Sequence, residues 1–204
     1  MQITDPDAVR EAYADPGLIP PPAPPGAAYW LRSRVARFSS GAEHQRRRAL
    51  AIAEIARIDP EHAARQAAAR IRSGDSVRRA VIGAFGVVPD KALDLVLQVA
   101  PAYFDPSHSA ADEPLRELVE LLGPGDPEVI AARIGVLVQA CDATAALVEN
   151  GLRPPPRTTK RLAPDGTLLT LDLTGNPFGA PPRECPGQVL AIAVATAIAE
   201  ELAS

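Results

Sequence analysis

Apolar side chains recur at the spacing of one helix face along most of the chain, and prolines, glycines and aspartates separate these segments. The predicted helices cover Asp5–Tyr13, a segment from about Ala42, Glu61–Ile71, Ser76 to Phe85, Asp90 to about Tyr103, Ala111–Leu122, Pro127–Asn150 and Gln188–Ala203. Pro60 either interrupts the helix that begins near Ala42 or starts a new one. Two short strands, Thr158–Leu162 and Leu168–Leu173, predict a minor β-hairpin around the turn Pro164-Asp165-Gly166.

The segment Pro127–Asn150 is the longest predicted helix. Asp126-Pro127 is a strong start signal, and Gly151 follows the last helical residue. At about 1.5 Å per residue the helix is about 36 Å long. Because apolar residues crowd one region of it, we expect this helix to cross the centre of the domain.

Composition supports a mainly α fold built as one domain over residues 1–204. Hydrophobic residues make up 47% of the 204 residues and aromatic residues only 4%, which favours packed helices. The net charge of −4 gives no electrostatic argument for a nucleic-acid partner. No basic, apolar leader begins the chain and no unbroken apolar run reaches roughly 18 residues, so we expect no membrane span and a cytoplasmic location.

The candidate chemistry lies in a loop rich in glycine and proline, Asn176 to Gly187, which precedes the last predicted helix. Cys185 is placed just before that helix begins. Free amide groups and the positive end of a helix dipole lower a thiol pKa there, which favours a thiolate as metal ligand or nucleophile. Arg183 adds positive charge. The alternative is that Cys185 is simply a small buried apolar residue.

The string Phe178-Gly-Ala-Pro-Pro-Arg183-Glu-Cys185-Pro-Gly187 resembles the haem-binding signature of the cytochromes P450, Phe-Gly-x-Gly-x-[His/Arg]-x-Cys-x-Gly. Pro181 departs from the pattern, since a glycine is usual there. The resemblance implies a trimmed P450-like helical fold that binds haem b, with Cys185 as the axial ligand of the iron and Phe178 beside the cofactor.

The order of the segments extends this resemblance. Residues 1–41 resemble the family's N-terminal helix and a proline-rich segment, residues 126–151 its central I helix, and residues 176–203 its cysteine loop and final helix. The family's Glu-x-x-Arg pair has no counterpart between Gly151 and Cys185. The resemblance therefore implies a scaffold that keeps the pieces facing the haem and loses much of the support below it.

Four residues match positions that hold the haem propionates in the family. His44 and Arg48 share one face of the predicted helix, since residues i and i+4 lie together. Arg183 lies in the cysteine loop, and Arg161 resembles the arginine that follows the family's Pro-Pro segment. For each arginine the alternative is a solvated surface side chain.

On the other side of the cofactor, Ala140-Cys141-Asp142-Ala143-Thr144 resembles the family's oxygen-activating segment. Asp142 takes the acid position and Thr144 supplies a hydroxyl, with Val138 to Thr144 as the roof of the pocket. Two residues along a helix correspond to about 200°, so the two side chains should not easily face one pocket. An alternative role for Thr144 is a hydrogen bond back to its own helix.

Three functions remain open at this level. The first is a haem-thiolate oxidoreductase, a monooxygenase or a peroxide-driven enzyme that oxidises a small organic molecule, such as a secondary metabolite. The second is a non-catalytic haem or small-molecule binding protein derived from such an enzyme. The third is a haem-free helical module that forms a homodimer through exposed apolar surface. No sequence feature specifies an electron donor.

Overall fold

The computed structural model describes residues 1–86 and 89–204. Helices dominate the described residues, as the apolar pattern predicts. They are α1 (Pro6–Ala14), α2 (Tyr29–Arg32), α3 (Gly41–Ile55), α4 (Pro60–Arg72), α5 (Val77–Phe85), α6 (Asp90–Phe104), α7 (Asp112–Leu122), α8 (Pro127–Glu149) and α9 (Gln188–Leu202). The same residues include three short strands, β1 (Gln2–Ile3) before α1, and β2 (Thr158–Leu162) and β3 (Leu168–Asp172) between α8 and α9.

Asp-Pro pairs begin three of these helices. The Asp5 carboxylate accepts hydrogen bonds from the backbone of Asp7 and Ala8 at the start of α1. Asp59 caps α4 and Asp126 caps α8 in the same way. The carboxylate satisfies amides that have no partner inside the helix, and proline loses nothing at the first position. Pro60 therefore starts a new helix.

The central helix α8 organises the larger of two apolar cores. It packs against α3, α5, α6 and α9, and α4 lies along α9. Ile134 and Val138 of α8 are fully buried, and Leu137 is nearly so. The prediction that this helix crosses the middle of the molecule is confirmed.

Helix α8 leaves the expectation of no membrane span untested. By length and composition it is apolar enough to cross a membrane, which counting unbroken apolar runs did not reveal. Half of its most apolar window is buried inside the protein. A helix at the centre of a packed core has the same composition as a membrane span.

The small sheet joins the two ends of the chain. The predicted hairpin is present, with Thr158 opposite Asp172 and Leu162 opposite Leu168 in antiparallel register. Strand β1, which is too short for a pattern to reveal, pairs in parallel with β3. Leu171 of β3 packs with Val9 and Tyr13 of α1 and with Ala180 in a second, smaller core. The segment 176–187 is therefore held against the N-terminal helix.

Candidate haem site

The eight site residues predicted from the sequence line one cavity of about 620 Å³. The size is typical of small-molecule and cofactor sites. Helix α8 and the segment before β2 border it together with α3 and the start of α9. The predicted residues at its wall are His44, Arg48, Asp142, Thr144, Arg161, Phe178, Arg183 and Cys185. Segments far apart in the chain thus converge on one space.

Backbone hydrogen bonds shape the cysteine loop, which we define as residues 176–187. The Cys185 amide donates to the Phe178 carbonyl at 2.7 Å, and the Arg183 amide donates to the Ala180 carbonyl at 2.9 Å. Gly179 has φ +77°, and a Cβ there would lie 3.3 Å from the Arg183 carbonyl oxygen. None of these bonds uses an amide at position 181. Pro181 removes one backbone donor relative to the usual glycine, and the two bonds that shape the loop are donated by other residues.

Asn176 fastens the cysteine loop to α1. Its side-chain amide donates to the Pro6 carbonyl at 3.0 Å, and its carbonyl oxygen accepts from Arg10 at 3.2 Å. The side chain is only 9% exposed. Sequence reasoning gave Asn176 no role, because its two partners lie at the opposite end of the chain.

Cys185 is a free, exposed cysteine that lines the cavity, so it is not the small buried apolar residue of the alternative interpretation. Burial raises the pKa of this thiol, while the Gly187 backbone and the charges of Arg48 and Arg157 act in the opposite direction. The predicted lowering of the pKa is therefore wrong for the metal-free thiol, because desolvation outweighs the helix terminus and the arginines. A bound metal ion would itself favour the thiolate.

Three arginines predicted to bind propionates surround the same space. The Arg48 guanidinium donates to the Glu184 carbonyl at 2.6 Å, and Arg183 donates to the Ser39 carbonyl at 2.7 Å. Arg161 is 3% exposed and lies over the Tyr13 ring, 4.5 Å from its centroid. The alternative of solvated surface arginines fails for Arg161 in particular.

These arginines are not neutralised within the described part of the chain. No carboxylate lies within 4.0 Å of Arg48, Arg161 or Arg183 in residues 1–86 and 89–204. The Arg161 Nε is buried without a hydrogen-bond partner there. Burial and the neighbouring charges of Arg161 and Arg48 lower the pKa of Arg183 to about 10. A ligand with two negative charges would relieve this repulsion.

His44 belongs to the same cluster. It is 7% exposed, and burial, followed by the charges of Arg183, Arg48 and Arg161, lowers its pKa to about 4. The imidazole is therefore neutral at pH 7. A neutral ring can still donate one hydrogen bond to a carboxylate.

On the α8 side, Thr144 and Asp142 behave differently. Thr144 is fully buried, and its hydroxyl has no hydrogen-bond partner among the described residues, so the alternative of a bond back to its own helix does not hold within them. The Asp142 carboxylate accepts from the Arg78 Nε at 2.8 Å and is partly exposed. Both residues border the cavity, contrary to the expectation from their spacing, but Arg78 holds the carboxylate.

The predicted roof needs one correction. Gln139, Ala140, Asp142, Ala143 and Thr144 line the cavity. Val138 and Cys141 lie instead in the apolar core, where burial raises the pKa of the Cys141 thiol to about 12. The 3.6-residue period turns these two side chains away from the cavity.

The residues present fit a haem. Among residues 1–86 and 89–204, no group of three or more His, Cys, Asp or Glu side chains could hold a bare metal ion. The cavity instead offers one thiol and several unneutralised cations. One axial thiolate suffices for an iron whose other ligands come from a porphyrin, and the cations suit its two propionates.

A comparison with solved structures agrees with this architecture, whereas two other comparisons found no match. No protein-family model matches the chain, and no curated protein matches it. Among solved structures, the chain is similar to the cytochrome P450 CYP154A1 from Streptomyces coelicolor A3(2), with a TM-score of 0.64 and 16% sequence identity. The alignment covers 98% of this chain and 82% of the other. The chain therefore has a trimmed, mainly α P450-like fold.

Proposed function

We propose that this chain is a haem-thiolate oxidoreductase that binds haem b through Cys185 and oxidises a small organic molecule. The observation that carries the proposal is the convergence, on one cavity, of an exposed thiol and arginines that have no carboxylate partner among the described residues. The P450-like fold supports the same conclusion at a coarser level. When bound through a thiolate, haem supplies iron chemistry that favours O–O cleavage.

Each of the predicted site residues would have its own role in binding haem. Cys185 would ligate the iron, and Arg48, Arg161 and Arg183 would neutralise the propionates, with neutral His44 as an additional donor. Phe178 would pack beside the cofactor. Thr144, whose hydroxyl is buried without a partner among the described residues, would lie with Gln139 and Asp142 on the α8 side of the cavity.

The surroundings of Asp142 favour a peroxide-driven reaction over a monooxygenase. Arg78 binds both Asp142 and Glu149, and hydrogen bonding and these charges raise the pKa of the guanidinium. To carry a proton into the cavity, the Asp142 carboxylate would first have to break its contact with Arg78. Dioxygen must receive two electrons and two protons to reach the oxidation level of hydrogen peroxide. An enzyme that uses peroxide therefore needs no such delivery.

The same ion pair favours a second candidate, a haem-binding protein without turnover. In that case the cavity would hold haem, and Asp142 would be structural. A haem-free helical module is less consistent with a cavity whose arginines have no carboxylate partner in the described residues.

The deciding experiment compares the two cysteines. Purified protein is supplied with haem, reduced and exposed to carbon monoxide, and its absorption spectrum is recorded. We expect the thiolate-type Soret band from wild type and from the Cys141→Ala control, and its loss in Cys185→Ser with unchanged helical circular dichroism. A colourless wild-type protein would refute haem binding. Substrate oxidation with peroxide then separates an enzyme from a non-catalytic binder.

A further inference from the structure

Two arginines that sequence reasoning did not assign also line the cavity, Arg37 and Arg157. Within residues 1–86 and 89–204, neither guanidinium lies within 4.0 Å of a carboxylate or makes a side-chain hydrogen bond. Arg37 stacks on aromatic rings, 5.3 Å from the Phe104 centroid and 5.8 Å from that of Phe38. Both cations thus face the cavity without a counter-charge among the described residues.

Arg157 is fixed in position by its backbone. It precedes β2, and its carbonyl accepts from the Leu173 amide at 2.9 Å. Burial and the charge of Arg37 lower the pKa of Arg157, whereas Asp142 and Cys185 act in the opposite direction. The guanidinium therefore lies in the part of the cavity between α8 and the cysteine loop.

The cavity holds more cations than two propionates need. The charge of Arg37 acts both on Arg161 of the propionate cluster and on Arg157. Haem has two propionates, for which Arg48, Arg161 and Arg183 already supply three cations. Arg37 and Arg157, which are both exposed residues, would remain without a propionate partner in the loaded protein.

The rest of the wall is largely apolar. Phe85, Phe104, Leu147 and Leu190 line the cavity together with alanines of α8. A ligand that satisfies this wall and the two arginines has an apolar body and one anionic head. Arginine binds carboxylate and phosphate oxygens through paired N–H groups.

We propose that the substrate is an amphipathic organic anion, whose carboxylate or phosphate head binds Arg157 and Arg37 and whose apolar body lies against the cavity wall. The inference rests on the proposed function and adds the chemical class of its substrate. Neutral apolar molecules of the same length would bind more weakly, because they form no charge-assisted hydrogen bond with either guanidinium group.

The experiment uses haem-loaded protein and three probes of one chain length: octanoate, octyl phosphate and 1-octanol. Calorimetric titration gives the dissociation constant of each. We expect at least one of the two anions to bind on the order of tenfold or more tightly than the alcohol. Tighter binding of octanoate would indicate a carboxylate substrate, and tighter binding of octyl phosphate would indicate a phosphate ester.

Arg157→Gln and Arg37→Gln should each weaken binding of that anion about tenfold and leave 1-octanol unaffected. Arg153→Gln is the matched control, since Arg153 is an exposed arginine of the same segment that does not line the cavity. All three variants should keep the wild-type haem spectrum.

Equal affinity for the three probes, or unchanged anion binding in both variants, would overturn the inference and leave the haem proposal intact. Loss of haem from Arg157→Gln would assign that arginine to the cofactor and also overturn it. Failure of the wild type to take up haem would appear in the absorption spectrum before any titration, and would overturn the proposed function together with this inference.

Discussion

At the scale of single residues, the cavity concentrates positive charge that the described protein does not neutralise. His44 shows the effect most clearly, because it lies among three arginines and is kept neutral by them and by burial. A histidine in such surroundings makes the folded state a poorer proton acceptor than the unfolded chain. Stability must then depend on pH.

The expected pH window follows from the pKa of His44. Its ordinary pKa is 6.5 and its folded value is about 4, so the unfolded state takes up the proton first as pH falls. The resulting stability is complete above pH 6.5 and is lost between pH 6.5 and about 4, by about 3 kcal/mol at most. Denaturant unfolding of haem-free protein across this range measures the loss.

His44→Gln serves as the comparison, because glutamine does not titrate. It should flatten the curve between pH 6.5 and 4.5, above the range in which the carboxylate of Glu128 takes up its proton. If the variant shows the same slope as wild type there, the assigned environment of His44 is wrong.

At the scale of elements, an ion-pair cluster joins the first turn of α8 to α3. Glu128 accepts from the Nε and Nη2 of Arg46 at 2.9 and 2.8 Å, and from the Nε of Arg47 at 3.0 Å. A carboxylate at a helix N-terminus also interacts favourably with the helix dipole. Since α3 carries His44 and Arg48 and α8 carries Thr144, this junction connects two helices that border the cavity.

Replacing Glu128 tests that junction. Hydrogen bonding to Arg46, and then to Arg47, lowers the pKa of Glu128 to about 2. We expect Glu128→Gln to reduce the unfolding free energy at pH 7 by about 1 to 2 kcal/mol, less than the full shift implies because Arg46 is 58% exposed. The variant should also lose the decline in stability that wild type shows as pH falls from 4.5 to about 2.

The control for this change is Glu117→Gln. Glu117 pairs with Lys91 on the surface, where both side chains are well exposed. Its replacement should change the unfolding free energy by less than about 0.5 kcal/mol. If both substitutions reduce the unfolding free energy equally, the α3–α8 junction contributes no more to stability than a surface ion pair.

Helices, caps and the hairpin followed from local signals, because Asp-Pro pairs and apolar periodicity act within a few residues. Asn176, Arg37 and Arg157 could not be assigned in that way, since their roles depend on partners brought together only by the tertiary fold. The prediction of a lowered pKa for Cys185 was wrong for a related reason. A helix start can be recognised in sequence, whereas the desolvation that opposes it cannot.

At the scale of the whole molecule, the arginines of the cavity lower the stability of the ligand-free protein and favour the binding of an anion. Arg183 has a lowered pKa, so the folded state disfavours its charge until a counter-charge arrives. Such trade-offs are common at binding sites. A bound dianion should therefore stabilise this fold more than contact area alone would suggest.

Haem binding should consequently raise the unfolding free energy, by about 2.7 kcal/mol at a free concentration one hundred times its dissociation constant. Arg183→Gln should alter the haem-free protein by less than about 1 kcal/mol and reduce this increment by about 1.4 kcal/mol for each tenfold loss of affinity at fixed haem concentration. Chemical denaturation with and without haem measures both values.

The exposed Arg65 supplies the control, since it lies outside the cavity. Arg65→Gln should keep the wild-type increment. If Arg183→Gln strongly destabilises the empty protein and keeps the full increment, Arg183 is a structural residue and not a binder of the cofactor.

The attachment of Asn176 to Pro6 and Arg10 has a consequence for how the molecule is made. The partners are 170 and 166 positions apart, so this closure is among the most non-local in the chain. On the ribosome, the helical body would emerge and collapse while the sulfur ligand is still unsynthesised. Capture of haem through Cys185, as proposed, would then follow the synthesis of both segments and the docking of Asn176 on α1.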